Sequence, residues 1–540
     1  MRTARLLAWL LLAGLAPLPA GAEERMPSFA ELERAGAVIG EIHVETDDIF
    51  DLSDPKERSY FYRTINRLHI KTRPWLLRRM LLFKSGDRVS KAVIDETERV
   101  IRGWSGVYDV HIRPIRYENN VVDLEVRSRD TWTLSVDAGL SRAGGANTGH
   151  FGIKESNLAG TGTILELGHT QEVDRNGNHV KLAHEHLFDG WTIAGVDVSD
   201  YTDGYSESFT LARPFYSLNT RWAAGLAATR FARNEPLYRN GDNVGESHHV
   251  GRAVNGYVGW SPGRVGRWTQ RFSGGVSYSD DSYTPNPDSP PPPDAVPPSR
   301  ILAGPFVRHE VIEDNYLQVM NRNSIQRPEY LAIGWSSSLQ VGRSLGSFGA
   351  SEEPWLLSAS LSKGFLAGGG ELLASASFSG MYGSDSGDVR TLGASARYFA
   401  PQTESFLLYF SGSIAAVKPA SAADELLLGG DNGVRGYPLR YQSGIRRAVF
   451  TAEERWYTDW YPLRLFRVGW VAYYDIGRAW GGESVNATPG WLSNVGLGLR
   501  ILSARASGGS VVHVDFAVPI HRTDPNIDPY QLVVMTGASF

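Results

Sequence analysis

Val512-His513-Val514-Asp515-Phe516-Ala517-Val518-Pro519-Ile520 sets Val512, Val514, Phe516, Val518 and Ile520 on one face, with His513 and Asp515 opposite. Two upstream stretches repeat this alternation. Over 495–501 the apolar face is Val495, Leu497, Leu499 and Ile501, against Gly496, Gly498 and Arg500. Over 468–480, Val468, Trp470, Ala472, Tyr474 and Ile476 share one face, and Gly469, Tyr473, Asp475 and Gly477 share the other. A period of two means a strand whose faces meet different surroundings. Apolar-out, polar-in strands of ~10 residues are what lipid outside and water inside demand. A sheet in a bilayer satisfies its backbone only by closing into a barrel. From Asp130 onward such segments follow one another between Gly, Asn, Asp and Ser, and about twenty can be counted. The last runs over 530–540 and ends on the aromatic Phe540.

Composition agrees without deciding. The chain holds 540 residues, with 58 Gly, 15 Trp, 23 Tyr and 21 Phe, and mean hydropathy is −0.25. Large soluble β-sandwiches share such values, so the alternation carries the argument. Formal net charge is −5, which supplies no basic field for a nucleic acid. Cysteine is absent, which removes disulfides, thiolate metal sites and Cys nucleophiles.

The N-terminus reads as an export signal over 1–22. Arg2 and Arg5 precede a short apolar run, and Ala20-Gly21-Ala22 offers a small-x-small cleavage site. That run is shorter than the ~20 residues of a spanning helix. A short segment, 23–36, leads into an α+β module over 37–127. There Ile39 to Val44 reads as a strand, and 55–68 and 73–82 read as helical. A helix over 90–102 gathers Val93, Ile94, Thr97, Val100 and Ile101 on one face. Strands over 107–115 and 121–126 close the module around a turn at Glu118-Asn119-Asn120. The barrel takes the rest, 128–540. Eight prolines in the fourteen residues 285–298 cannot join a ladder and read as a solvated surface loop.

Leu427-Leu428-Gly429-Gly430-Asp431-Asn432-Gly433-Val434-Arg435-Gly436-Tyr437 resembles the Val-Arg-Gly-Phe/Tyr loop of the BamA/TamA superfamily. Its members are outer-membrane barrels with periplasmic POTRA domains that insert or export proteins. The resemblance implies that the loop folds into the lumen, with Val434, Arg435, Gly436 and Tyr437 as its motif and Gly429 and Gly430 as its lead. It also implies that Arg435 meets acids on the next two strands. Glu453 lies on a polar face with Thr451 and Arg455, and Asp475 resembles the family's Phe-x-Asp-x-Gly element. The neighbouring Glu454 has outward parity, with Phe450 and Trp456.

Other stretches agree. Residues 66–87 and 98–110 look like parts of one POTRA domain, and 155–162 is similar to the family's early barrel hairpin. Sixteen strands are implied, against about twenty counted in the chain itself. Only one POTRA domain fits before the barrel, and 23–36 is too short for the plug helix and linker of two-partner transporters.

The implied function is insertion or translocation of client proteins in the outer membrane. The POTRA domain would sit in the periplasm, capture strands and receive accessory proteins. Outer-membrane lipid and an unfolded or secreted client are the expected partners. Lumenal secretion of a partner protein, lipid transport and a passive pore are the alternatives. No enzymatic activity and no cofactor is expected, and no His-Glu-x-x-His occurs. His184 and His186 share a strand face as a conceivable metal pair, but read more simply as lumen residues, and His248-His249 reads as loop.

Overall fold

A computed structural model describes residues 25–482, 486–505 and 511–537, so the export signal read over 1–22 and Phe540 lie outside the described residues. Residues 25–130 build a small α+β unit. It opens on a helix absent from the sequence reading, α1 (Phe29–Arg34), started by a capping box between Ser28 and Glu31. Leu32 of α1 is buried in the core of this unit. Then come β1 (Val38–Asp47), a 3-10 turn at Pro55–Glu57, α2 (Tyr60–Leu68), α3 (Pro74–Arg79) and α4 (Lys91–Gly103). The hairpin β2 (Val107–Glu118) and β3 (Val121–Asp130) turns through Asn119 and Asn120, whose φ values are 50° and 62°. Asparagine tolerates that left-handed region better than branched residues do. The sheet order is β1-β3-β2, with β1 parallel to β3, so β1 and β2 are its edges. Ile94, Thr97 and Ile101 are buried on α4, as its periodicity requires, and the two isoleucines join Leu76, Leu77, Leu124 and Val126 in the core.

From β4 (Leu134–Ala143) to the final strand Gln531–Gly537, twenty antiparallel strands close into a barrel. The sixteen implied by resemblance is therefore corrected. Strand number follows how many alternating segments the chain supplies, and every one of the twenty is paired on both sides. Phe410, Ile414, Phe450, Trp470, Leu497 and Phe516 are exposed on the outer face, as lipid contact requires. Trp456 and Trp470 are cross-strand partners, and Phe406 stacks on Trp456 at 5.8 Å, giving an outward aromatic cluster near the small unit. Among the described residues no helix is long and apolar enough to cross a membrane.

The small unit docks on the barrel turns at one end. Thr72 receives a 2.8 Å hydrogen bond from Asn157 Nδ2, while Asn157 Oδ1 accepts from Gly162 N at 2.7 Å. Arg73 N donates to Gly160 O at 3.0 Å. Gly160 has φ +75°, and a Cβ there would fall 2.3 Å from the Lys71 carbonyl oxygen, so glycine is required. These contacts sit in the 155–162 stretch, which forms the turn of an early barrel hairpin. At the opposite end, Trp222–Arg239, Asp242–Val265 and Trp268–Pro285 run well past the ~10 residues a bilayer needs. They carry the proline-rich segment, which lies outside the ladder except for Pro285, paired with Ser247 at the end of its strand.

Two short hairpins also lie outside the ladder. Leu426–Leu428 pairs with Gln442–Gly444, and Tyr316–Met320 pairs with Pro328–Ala332. The first rises from the proline-loop end of the barrel, the second from the small-unit end. Both put their tips against inward-facing wall residues.

Candidate functional site

Four neighbouring strands build a charged wall inside the lumen. Arg446–Tyr457 brings Thr451, Glu453 and Arg455 inward, and Phe466–Trp480 brings Tyr473 and Asp475. Leu492–Ser503 adds Asn494 and Arg500, and Val511–Pro519 adds Asp515. Glu453, Arg455, Asp475, Asn494, Arg500 and Asp515 are all buried. The wall also needs space. A Cβ at Gly496 would lie 2.3 Å from the Tyr473 ring, and one at Gly498 would lie 1.8 Å from Asp515 Oδ1.

The loop between Phe406–Lys418 and Arg446–Tyr457 enters as its two-stranded stem, with the motif at the tip. Gly429 and Gly430 are packed too tightly for side chains. A Cβ at Gly430 would meet the Tyr437 carbonyl oxygen at 2.4 Å and Gly144 N at 2.7 Å. Asn432 braces the turn, accepting from Gly429 N at 2.7 Å and donating to Leu427 O at 3.0 Å. Val434 and Tyr437 are fully buried beside Leu428, Tyr441 and Leu492. Gly436 N donates to Asn494 Oδ1 at 3.2 Å. Tyr437 OH donates to the carbonyls of Ser493 and His521, each at 3.1 Å.

Arg435 reaches three carboxylates. Nε and Nη2 donate to the two oxygens of Asp475 at 2.8 Å each, Nη2 also to Glu453 at 3.2 Å, and Nη1 to Asp515 at 3.0 Å. Its guanidinium lies 3.4 Å from the centroid of the Tyr473 ring. Arg455 holds the other oxygen of Glu453 at 2.8 Å, and Arg500 pairs with Asp515 at 2.5 Å. Three guanidinium groups thus balance three carboxylates in a water-poor interior, where an unpaired ion is costly. Glu453 and Asp475 fall where the sequence reading put them. Asp515 and Arg500 were placed on inward faces but not joined to Arg435. Their signal was parity plus Gly498, the space-making residue beside them.

Other candidates settle differently. His186 does not pair with His184 around a metal: its Nδ1 lies 2.9 Å from Gly190 O, and its ring meets Trp104 and Trp191 edge-on where the small unit docks. His248 and His249 belong to the strand Asp242–Val265, which corrects their reading as loop. His249 sits between Glu235 and Asp281, at 2.8 and 3.0 Å. Its neighbours on the flanking strands, distant in sequence, ordered it there.

The barrel closes where the final strand meets β4. Among the described residues that ladder is one pair, Val534 with Arg142, whereas β4 and the next strand share ten. The lumen loop touches both sides of this seam. Arg435 binds Asp515 on the penultimate strand, and Leu439 N donates to Gly144 O at 3.2 Å in the turn after β4. Arg440 extends the hold to Asp174 in the following turn, through bonds of 2.9 and 2.8 Å.

No protein-family model matches the chain, and no curated protein matches it. Among solved structures it is similar to BamA from Haemophilus ducreyi lacking POTRA domains 1-3, at 12% identity and TM-score 0.41, covering 93% of this chain and 85% of that one. It is similar to CdiB from Acinetobacter baumannii at 15% identity and TM-score 0.42, over 93% and 73%. CdiB from Escherichia coli gives 12% identity and TM-score 0.48, over 93% and 77%.

Proposed function

We propose that the protein is an outer-membrane barrel that inserts client proteins into the membrane or translocates them, with its small α+β unit acting as a periplasmic POTRA domain. The observation carrying this reading is the seam. One ladder pair joins its strands among the described residues, while the lumen loop holds Asp515 on one side and Gly144 on the other. An edge strand with unmet backbone donors and acceptors is a template for an incoming strand. The outer edge of β2 offers a second template, suited to an extended segment arriving from the periplasm. No catalytic step belongs to this function, and periplasmic accessory proteins would meet the same unit.

Lumenal secretion is the second reading, and the loop weighs against it, because passage would require Arg435 to part from Glu453, Asp475 and Asp515. A passive pore leaves the seam and the pinned loop without a role. The test is reconstitution of the purified protein into phospholipid vesicles, with a urea-unfolded eight-stranded outer-membrane barrel as probe client. Faster folding of the probe than in empty vesicles supports insertion. An equal rate, together with release of a secreted client across the vesicle membrane, transfers the function to the lumen.

A further inference from the structure

A barrel of twenty strands is wide enough to leave a water-filled channel, since sixteen to eighteen already do. On one side the channel stays open. Ser360, Ser377, Ser379, Ser395 and Ser413 line neighbouring strands there without large side chains. At the small-unit end, however, the hairpin over 316–332 crosses the lumen from its root between Arg300–Glu313 and Ser336–Arg343. Its tip is seated on the far wall. Ile325 is buried with Phe399, Leu407, Tyr457, Tyr473 and Val511.

Ions latch that tip. Arg322 forks onto Glu371, Nε to Oε2 at 2.8 Å and Nη2 to Oε1 at 2.9 Å, and both side chains are about nine-tenths buried. The carbonyl of Arg322 accepts from Arg455 Nη1 at 2.9 Å, the same arginine that holds Glu453 of the motif cluster. The stem is held from the other side by α4. Arg102 donates to Tyr330 OH at 2.8 Å, and Arg99 lies 3.9 Å from the Tyr316 ring centroid. Arg327 donates to the Tyr108 carbonyl at 3.3 Å.

We propose that this hairpin is a gate closing the lumen from the periplasmic side, latched by Arg322–Glu371 and carried on α4, so that movement of the small unit can withdraw it. A buried ion pair suits a gate better than a plug. Its attraction is largely offset by desolvation, so releasing the latch into water adds little to the cost of exposing the apolar seat of Ile325. The gate concerns access to the lumen and stands whether or not clients are inserted at the seam.

The test uses the full chain in vesicles with the small unit facing outward and a reporter cysteine, Ser377→Cys, in a protein that has none of its own. Its labelling by an externally added, membrane-impermeant maleimide reads the gate. Arg322→Glu is expected to speed labelling several-fold, and the swap Arg322→Glu with Glu371→Arg to return it to the slow rate. Heat-modifiable migration on gels shows that each variant remains a folded barrel. Arg102→Ala with Arg99→Ala is expected to speed labelling as well. Equal rates in Arg322→Glu and the parent, or a swap as fast as the single change, overturn the latch. An unmoved rate in the α4 variant overturns the role of α4 as its carrier.

Discussion

Arg435 and Asp475 meet fork to fork, two hydrogen bonds of 2.8 Å between the loop tip and the inner wall. Such bidentate pairing is specific to a planar guanidinium. Arg435→Ala leaves Glu453, Asp475 and Asp515 facing one another, at a cost of ~3–5 kcal/mol. Arg435→Lys keeps the charge but loses the fork, so it is expected to recover only part. The control is Arg230→Ala, which breaks an exposed pair with Glu207 on the outer rim and is expected to be nearly silent. Heat-modifiable migration and protease resistance of the loop compare the three. Equal behaviour of Arg435→Ala and Arg230→Ala would remove the pinned loop.

Glycine replacements test the same packing without touching a charge. Gly498→Ala drives a Cβ into Asp515, and Gly430→Ala drives one into the backbone of Tyr437 and Gly144. The neighbour of Gly430 is backbone and cannot swing away, so Gly430→Ala is expected to be the more damaging to barrel yield. Gly266→Ala, where nothing lies within 4 Å of the added carbon, tests the cost of positive φ alone. Yields of folded barrel that rank Gly266→Ala worst would contradict this packing argument.

Much of this was legible in the chain, and the failures have physical causes. Period-two alternation gave the barrel because lipid and lumen act on every strand alike. Parity also placed Glu453 and Asp475 inward and Glu454 outward, but it fixes a face and not a row. Asp515 therefore stayed unassigned until register put it beside Gly498. The hairpin over 316–332 has the composition of short strands, and nothing local says that its strands leave the ladder. Glu96 was hidden similarly. It sits on α4 next to the core stripe, and its burial comes from the barrel turn containing Leu218, far along the chain.

That contact has a pH dependence. Glu96 Oε1 accepts from Leu218 N at 2.7 Å, and burial holds its carboxyl above its ordinary value of 4.5, only partly opposed by the Leu218 N–H and Arg99. The undocked form gives up its proton first as pH rises past 4.5, and the docked form later. Docking of the small unit is therefore strongest below 4.5, weakens through the window up to the raised value, and is constant above it. Glu96→Gln keeps the acceptor oxygen and is expected to flatten the profile. Hydrogen exchange of the Leu218 amide across this range measures it, and an identical slope in Glu96→Gln would assign the dependence elsewhere.

The seam itself can be locked. Val534 and Arg142 are register partners in an antiparallel ladder, where opposed Cα atoms lie about 4.5–5.5 Å apart, inside the range a disulfide spans. Arg142→Cys with Val534→Cys places the bond across the closure, and the absence of other cysteine makes the oxidised product unambiguous. Insertion requires the two strands to part, because the client must reach their backbone donors and acceptors. Oxidation is therefore expected to abolish acceleration of probe folding in vesicles, and reduction to restore it. Secretion through the lumen needs the loop and the periplasmic hairpin to move, and neither is tied by this bond. Combining the lock with Arg322→Glu separates the routes: a locked seam with an opened lumen should still fail to insert. Full insertion activity in completely crosslinked protein would sink the seam mechanism and leave the lumen as the path.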